Sequence, residues 1–281
     1  MVESGLVSIA TRLEEYMYRF RWALVMSFLV LAPLAHSAEW SKTYNLSGQP
    51  DLSVDTSDAN LHVDTWEQTT IAVHVTSNHY KIGEGGIEII ENQNGDRVEL
   101  ELRYPRHHFG VNIQLGSYRV DVDIHMPREG RLRLHTADGA IRLANFKGTM
   151  ELESGDGAEE IDSVDGNLRA RTADGHIRAA GRFDALEVKT SDGRIEARVL
   201  PGSTMASSWS LDTSDGNVTL ELPDKFAADV DLHTADGRIT LDLPVTVEGL
   251  LGRSEVHGKL NGGGNLLTVQ TADGSIRIAK S

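Results

Sequence analysis

The chain has 281 residues, 40% of them apolar, with 27 Lys and Arg against 42 Asp and Glu and a formal charge of −15. That is enough apolar material for a sizeable core, and the acidic excess without any basic run excludes nucleic acid and anionic membrane surfaces as partners. There is no cysteine, which excludes disulfides, thiolate nucleophiles and cysteine-based metal sites.

The first element is "MYRFRWALVMSFLVLAPLAHSAEW", where Arg19 and Arg21 precede an apolar stretch from Ala23 to Ala35 and small residues follow at Ser37 and Ala38. The apolar stretch is shorter than the roughly 20 residues of a membrane span, and the order of charge, apolar stretch and small residues is that of a secretory signal. The expectation is a signal peptide over residues 1–38, cleaved after Ser37 or Ala38, with Met17 as a second candidate start. The alternative is an uncleaved anchor. Either way the mature chain works outside the cytoplasm, in the periplasm, secreted or at the cell surface, with no transmembrane segment of its own.

Residues 39–130 read as opening coils or a β cap. "LSVDTSDANLHV" carries a decayed first copy of the later repeat at Thr56, and "NGDRVELELRYP", entered through an Asn94-Gly95 turn, and "YRVDVDIHMP" alternate as strands. Asp121, Asp123 and His125 alternate with Val120, Val122 and Ile124 and so share the outward face of one strand. They are spaced at about 6.6 Å per step, wide for one metal shell, so a solvated face is the simpler reading. The loop "YPRHHFG" at Tyr104 to Gly110 gathers aromatic, basic and imidazole groups that could grip a sugar or a partner.

Residues 131–281 repeat Thr-(Ala/Ser)-Asp-Gly. The units include "HTADGAI" from His135, "RTADGHI" from Arg171, "KTSDGRI" from Lys189, "DTSDGNV" from Asp212, "HTADGRI" from His233 and "QTADGSI" from Gln270. The glycines at 139, 157, 175 and 193 follow at steps of 18, and Gly216, Gly237 and Gly274 at 23, 21 and 37. The last step is close to two units, which makes "VEGLLGRSEVHGKLNGGG" a degenerate coil. Gly148 and Gly166 lie halfway and mark a second bend. Leu132, Leu134 and Thr136 share one face before the first corner, and Ile141 and Leu143 follow it. Their odd spacing brings all five inside only if the chain reverses at Asp138-Gly139. A fixed period of this kind predicts an all-β, single-stranded β-solenoid of about 18-residue coils with the motif at each corner; the alternative is an antiparallel β-meander using Asp-Gly as hairpin loops.

Turn chemistry accounts for the motif: glycine supplies positive φ, aspartate bonds nearby backbone N–H groups, and threonine caps the turn. The structural turn positions are therefore Asp138 and Gly139, Asp174 and Gly175, Asp192 and Gly193, Asp215 and Gly216, Asp236 and Gly237, and Asp273 and Gly274. Stacking would also align these carboxylates, together with Asp156, in a row that could hold calcium, although the denser glycine pattern of calcium solenoids is missing. No cofactor is expected. The residue ahead of the threonine varies among His135, Arg171, Lys189, Asp212, His233 and Gln270, a mixture no single ligand chemistry would select. In "ESGDGAEEIDSV" Ser154 replaces threonine and Ala158-Glu159-Glu160 interrupts the apolar position, which predicts a bulge. No catalytic or nucleotide-binding motif is present.

The N-terminal "SKTYNLSGQPDLSVDTSDANLHV", the strand ending "VDVDIHMPREGRLRLHTADGAIRL", the serial T-(A/S)-D-G-x-(I/V) units and the closing "VHGKLNGGGNLLTVQTADGSIRI" together resemble the bacterial putative-adhesin family of β-strand-repeat proteins, a domain of unknown function. The resemblance covers essentially the whole mature chain. It implies an exported β-solenoid, right-handed in type and adhesin-like, and carries over no catalytic or binding residues. The expected role is a non-enzymatic scaffold that binds a protein or glycan of the cell envelope or surface. The alternative is a lyase-like polysaccharide-active β-helix, against which the dispersed acids and bases and the net charge both argue.

Overall fold

The computed structural model describes residues 38–105, 118–243 and 245–281. The expected signal segment before Ala38 and residues 106–110 of the aromatic-basic loop lie outside the described residues. Twenty-one strands and no helix are described. β1 Ala38–Asn45, β2 Asp51–Thr56, β3 Asn60–Trp66, β4 Thr70–Ser77, β5 Glu88–Asn94, β6 Arg97–Arg103 and β7 Val120–Pro127 come first. β8 Glu129–Thr136, β9 Ile141–Ala144, β10 Lys147–Ser154, β11 Glu159–Arg171, β12 Ile177–Lys189, β13 Ile195–Val199, β14 Trp209–Thr213 and β15 Val218–Leu222 form the repeats. β16 Ala228–Asp236, β17 Ile239–Leu241, β18 Val245–Leu251, β19 Glu255–Leu260, β20 Leu266–Asp273 and β21 Ile276–Lys280 complete the chain.

The strands form because apolar residues recur at every second position, so that one face of each is buried. In β8 the buried positions are Gly130, Leu132, Leu134 and Thr136, and β10 buries Met150, Leu152 and Ser154. Copies then lie on one another in parallel. Lys147 pairs with Glu129 on one side and Asp165 on the other, and Ile177 pairs with Glu159 and Ile195. These offsets are the repeat length. Like side chains therefore stack into columns along a solenoid-like body, the outcome that a constant coil length favours.

Each coil has a second corner. Asn145 (φ 60°) and Gly148 (φ 134°) shape it in one coil, and Ser163 (φ 55°) and Gly166 (φ 120°) in the next. Phe146, Val164 and Phe183 fill the space behind it. β11 and β12 run straight through this corner and pass from one face to the other, so each is thirteen residues long. The register shifts in β11 fall here, after Ile161 and after Gly166.

Stacking order departs from chain order at both ends. At the N-terminal end β2 and β3 lie directly against β8 and β9, while β6 and β7 stack outside them. Beyond these the pairing turns antiparallel, with β5 on β6, β4 on β7 and β1 on β4. The β5–β6 connection is the expected hairpin, with Gly95 at φ 62°. At the other end β14 pairs not with β16 but with β20, and β16 pairs with the far side of β20. The last repeat thus slots between two earlier ones. The 37-residue step is not two coils, and "VEGLLGRSEVHGKLNGGG" is not a degenerate coil. It holds the antiparallel hairpin β18–β19, laid antiparallel on β16.

Candidate functional site

The Thr-x-Asp-Gly corner is built from coil-to-coil bonds. Thr190 is typical: its Oγ1 accepts from the N–H of Gly193 at 3.2 Å and donates to a carbonyl of the coil before, Gly175 or Ala173, at 3.1 Å to either. Thr136, Thr172 and Thr213 bond in the same way to Ala59, Gly157 and Gly193. Ser154 does too, donating to Gly139 at 2.9 Å. Thr271 bonds Gly216 and Thr234 bonds Gly274, which confirms the inserted order of the last repeat. All seven hydroxyl residues are buried, so a ladder of hydroxyls joins the corners.

The reason for glycine is not positive φ. None of Gly139, Gly157, Gly175, Gly193, Gly216, Gly237 or Gly274 is among the residues with positive φ. Instead a Cβ at Gly175 would overlap the carbonyl oxygen of Gly157, and one at Gly193 that of Gly175. The corners approach so closely that only hydrogen fits, which is the other circumstance that demands glycine. Nor do the aspartates hold the turn. The N–H groups of Asp156, Asp174, Asp192, Asp215 and Asp273 donate to carbonyls of the neighbouring coil at 2.8–3.1 Å, and the side chains of Asp138, Asp174, Asp192, Asp215, Asp236 and Asp273 are exposed. Burial, then the nearby Asp58 and Asp156, raise the Asp138 carboxyl above the usual carboxylate range. No group of three or more His, Asp or Glu side chains among the described residues is arranged to hold a metal.

Outside the corners the exposed columns carry alternating charge. On one face Asp123 meets His62 at 3.1 Å, Arg142 meets Glu160 at 2.9 Å and Arg178 meets Glu196 at 2.8 Å. On the other, Arg133 meets Asp51 at 2.9 Å, and Arg169 reaches both Glu187 at 2.9 Å and Glu151 at 3.8 Å. Exposed pairs of this kind contribute only about 0–1 kcal/mol each. Their effect is to favour this register, because like charges directly opposite would repel. The variable slot before the threonine joins in, as His135 faces Asp55 at 3.2 Å and Arg171 pairs with Glu187. Asp121 and Asp123 are likewise engaged by their neighbours Asn60 and His62, and His125 lies beside Trp66. The structure does not bring these three together as ligands.

The coil expected to bulge around Ala158-Glu159-Glu160 does shift register, but between Ile161 and Val164. Glu159 itself does not bulge out. It stays in register with Ile141 and Ile177, fully buried, and neither carboxyl oxygen has a hydrogen-bond partner. Burial pushes its carboxyl up to about 8. Backbone groups of Arg171 and Ser154 favour the ionised form but fall short of hydrogen-bond geometry, and burial outweighs them. The sequence signal for it was there, a carboxylate in a column of isoleucines.

Comparison with known proteins places this architecture. No curated protein matches the chain significantly. Among solved structures, a putative cell adhesion protein from Clostridium sporogenes is 14% identical with a TM-score of 0.44, over 88% of this chain and 100% of that one. A putative adhesin from Bacteroides fragilis is 10% identical with a TM-score of 0.45, over 87% of this chain and 98% of its own. A putative lipid binding protein from Parabacteroides distasonis is 12% identical with a TM-score of 0.38, over 86% and 97%. The Toastrack DUF4097 family matches residues 51–208 and again 182–279, so that both matches together take in the decayed corner at Thr56, the regular coils and the inserted last repeat. The chain belongs to the Toastrack DUF4097 family.

Proposed function

We propose that the protein is an exported, non-enzymatic β-solenoid scaffold of about 18-residue coils whose exposed faces bind other macromolecules at the cell envelope or surface. The observation that carries this reading is how the repeated residues are used. At the corners of Thr136, Ser154, Thr172, Thr190, Thr213, Thr234 and Thr271 the hydroxyl is consumed in bonding a carbonyl of the adjacent coil, so the most repeated motif builds the body. What varies is the outward side chains, and those lie in long, solvent-facing columns suited to an extended partner. Export is supported by the charged, apolar and small-residue order of the first 38 residues. No helix among the described residues is long and apolar enough to cross a membrane.

The test is fractionation of cells followed by retention of the purified protein on envelope extract and on a glycan array, with and without calcium. The reading expects extracytoplasmic recovery and calcium-independent retention. A cytoplasmic protein, or one that shortens acidic polysaccharides in a reducing-end assay, would overturn it.

A further inference from the structure

The column of corners ends at Ala59, which stands where later units have glycine, and the two faces continue past it as β6 and β7 without another Thr-x-Asp-Gly between them. At this end lies a groove of about 630 Å³ lined by Asp58, Asn60, Tyr80, Tyr118, Arg119 and Asp138 among others. Three tyrosines gather there. Tyr80 meets Tyr104 edge-on, centroids 5.7 Å apart at 88°, and lies 6.1 Å from Tyr118, which also packs on His79 at 4.1 Å. Tyr118 is 49% exposed and is one of only three large hydrophobic side chains so exposed among the described residues. An aromatic ring left in water beside a concavity marks a binding surface more often than a lone aliphatic does.

The platform is held in place by backbone bonds. Ser77 closes β4 opposite Val120 of β7, and its Oγ accepts from the N–H of Tyr80 at 2.9 Å. Asn78 and Arg119 bond twice, N–H to carbonyl at 3.2 Å and Asn78 Oδ1 to Arg119 N–H at 2.8 Å. Tyr80, Tyr118 and Arg119 therefore sit on one clamped junction, which lowers the ordering cost of binding. Asp58 and Asp138 also line the groove.

These groups discriminate between ligand classes. The rings pack against one another and do not surround an empty centre, so no aromatic cage for a quaternary ammonium is formed. Two carboxyls in the lining and a net charge of −15 disfavour phosphates and uronates. A flat ring face, carboxyl acceptors and a guanidinium donor suit a neutral sugar, whose C–H face is apolar and whose edge is hydroxyls.

We propose that this groove binds a neutral pyranose unit of a glycan, with Tyr118 under the sugar ring, Asp58 and Asp138 accepting from its hydroxyls and Arg119 donating to them. The inference rests on the scaffold reading above and names its ligand class. The purified protein is titrated with glucose, galactose, mannose, N-acetylglucosamine and glucuronate, followed by tyrosine fluorescence and calorimetry. At least one neutral sugar should saturate the signal with a Kd of about 0.1–10 mM. Tyr118→Ala and Asp58→Ala should each weaken it about tenfold or more, Tyr118→Trp should retain it, and glucuronate should not bind. Circular dichroism confirms that each variant is folded. The proposal is overturned if no neutral sugar binds, if Tyr118→Ala binds as the parent does, or if glucuronate or added choline alone binds. If sugars fail while envelope extract still retains the protein, the groove assignment falls and the scaffold reading stands; if both fail, both fall.

Discussion

Glu159 offers a test in which the size and sign of the effect follow from the structure. Its folded-state value near 8, against an ordinary 4.5, means that the folded chain holds this proton more tightly than the unfolded chain does. Below the ordinary value both states are protonated and the residue costs least. As pH rises the unfolded chain ionises first, and each unit removes about 1.4 kcal/mol of stability until the folded carboxyl ionises as well. The full loss between pH 4.5 and 8 is about 5 kcal/mol by the same arithmetic. Glu159→Ile places in the column the residue found at Ile141 and Ile177, so it removes the titration without opening a cavity. Urea unfolding of parent and variant at a series of pH values measures the difference between them, in which all other titrations cancel. The variant's advantage should grow by several kcal/mol between pH 4.5 and 8 and then level off. An advantage that stays constant within about 1 kcal/mol across that range would refute the buried, unpaired carboxylate.

Further outcomes follow from the corners and the ends. Gly175→Ala should cost about 1–3 kcal/mol in a denaturant series, because its Cβ has no room against Gly157, whereas Ala173→Ser should be near neutral. Thr190→Val should cost more than Thr190→Ser by about 1–3 kcal/mol, since valine strands the Gly193 N–H while serine keeps the bonding seen at Ser154; equal melting temperatures would show that the hydroxyl ladder is idle. Chelator should leave the melting temperature unchanged and Asp174→Asn should be tolerated, whereas a chelator-induced drop abolished by that substitution would make the carboxylates calcium ligands. Ending the chain at Asn265 should release residues 228–260 to proteolysis, because β16 and β17 pair with the body only through β20 and β21; protection of that segment would contradict the inserted order.

The repeat was legible because its physics is local and periodic. The spacing of Leu132, Leu134, Thr136 and Ile141 carries the corner by itself, and the step of 18 carries the stacking. The cause of the glycine was not legible, because positive φ and lack of room for a Cβ select the same residue, and only coordinates place the carbonyl of Gly157 over Gly175. The aspartate was misread for a related reason: it is a good turn residue that here turns outward, its N–H already engaged by the adjacent coil. The aromatic groove was not legible. Of "YPRHHFG" only Tyr104 and Pro105 are among the described residues, and Tyr80 and Tyr118 come together through the β4–β7 pairing, a contact that no local spacing encodes.

The two ends follow one logic that a strictly serial solenoid does not need. A stack of parallel coils leaves unpaired N–H and C=O groups at each end, and such edges recruit other chains. Here the outermost coil at each end is one that the chain lays down out of turn, β6 with β7 at one end and β16 with β17 at the other. Antiparallel strands then cover them, β5 on β6 and β4 and β1 beyond β7 at the first end, β19 and β18 on β16 at the second. Antiparallel pairing needs only a short turn, so a cap costs few residues. The interleaving has a second effect. The slot between β14 and β16 is filled by β20, so this end closes only after β20 has been made. The regular middle can grow coil by coil from local contacts, while both ends wait on distant ones, which are slower to form. The sugar groove lies at one of these late-formed ends, where the corner column stops and new side chains can occupy its place.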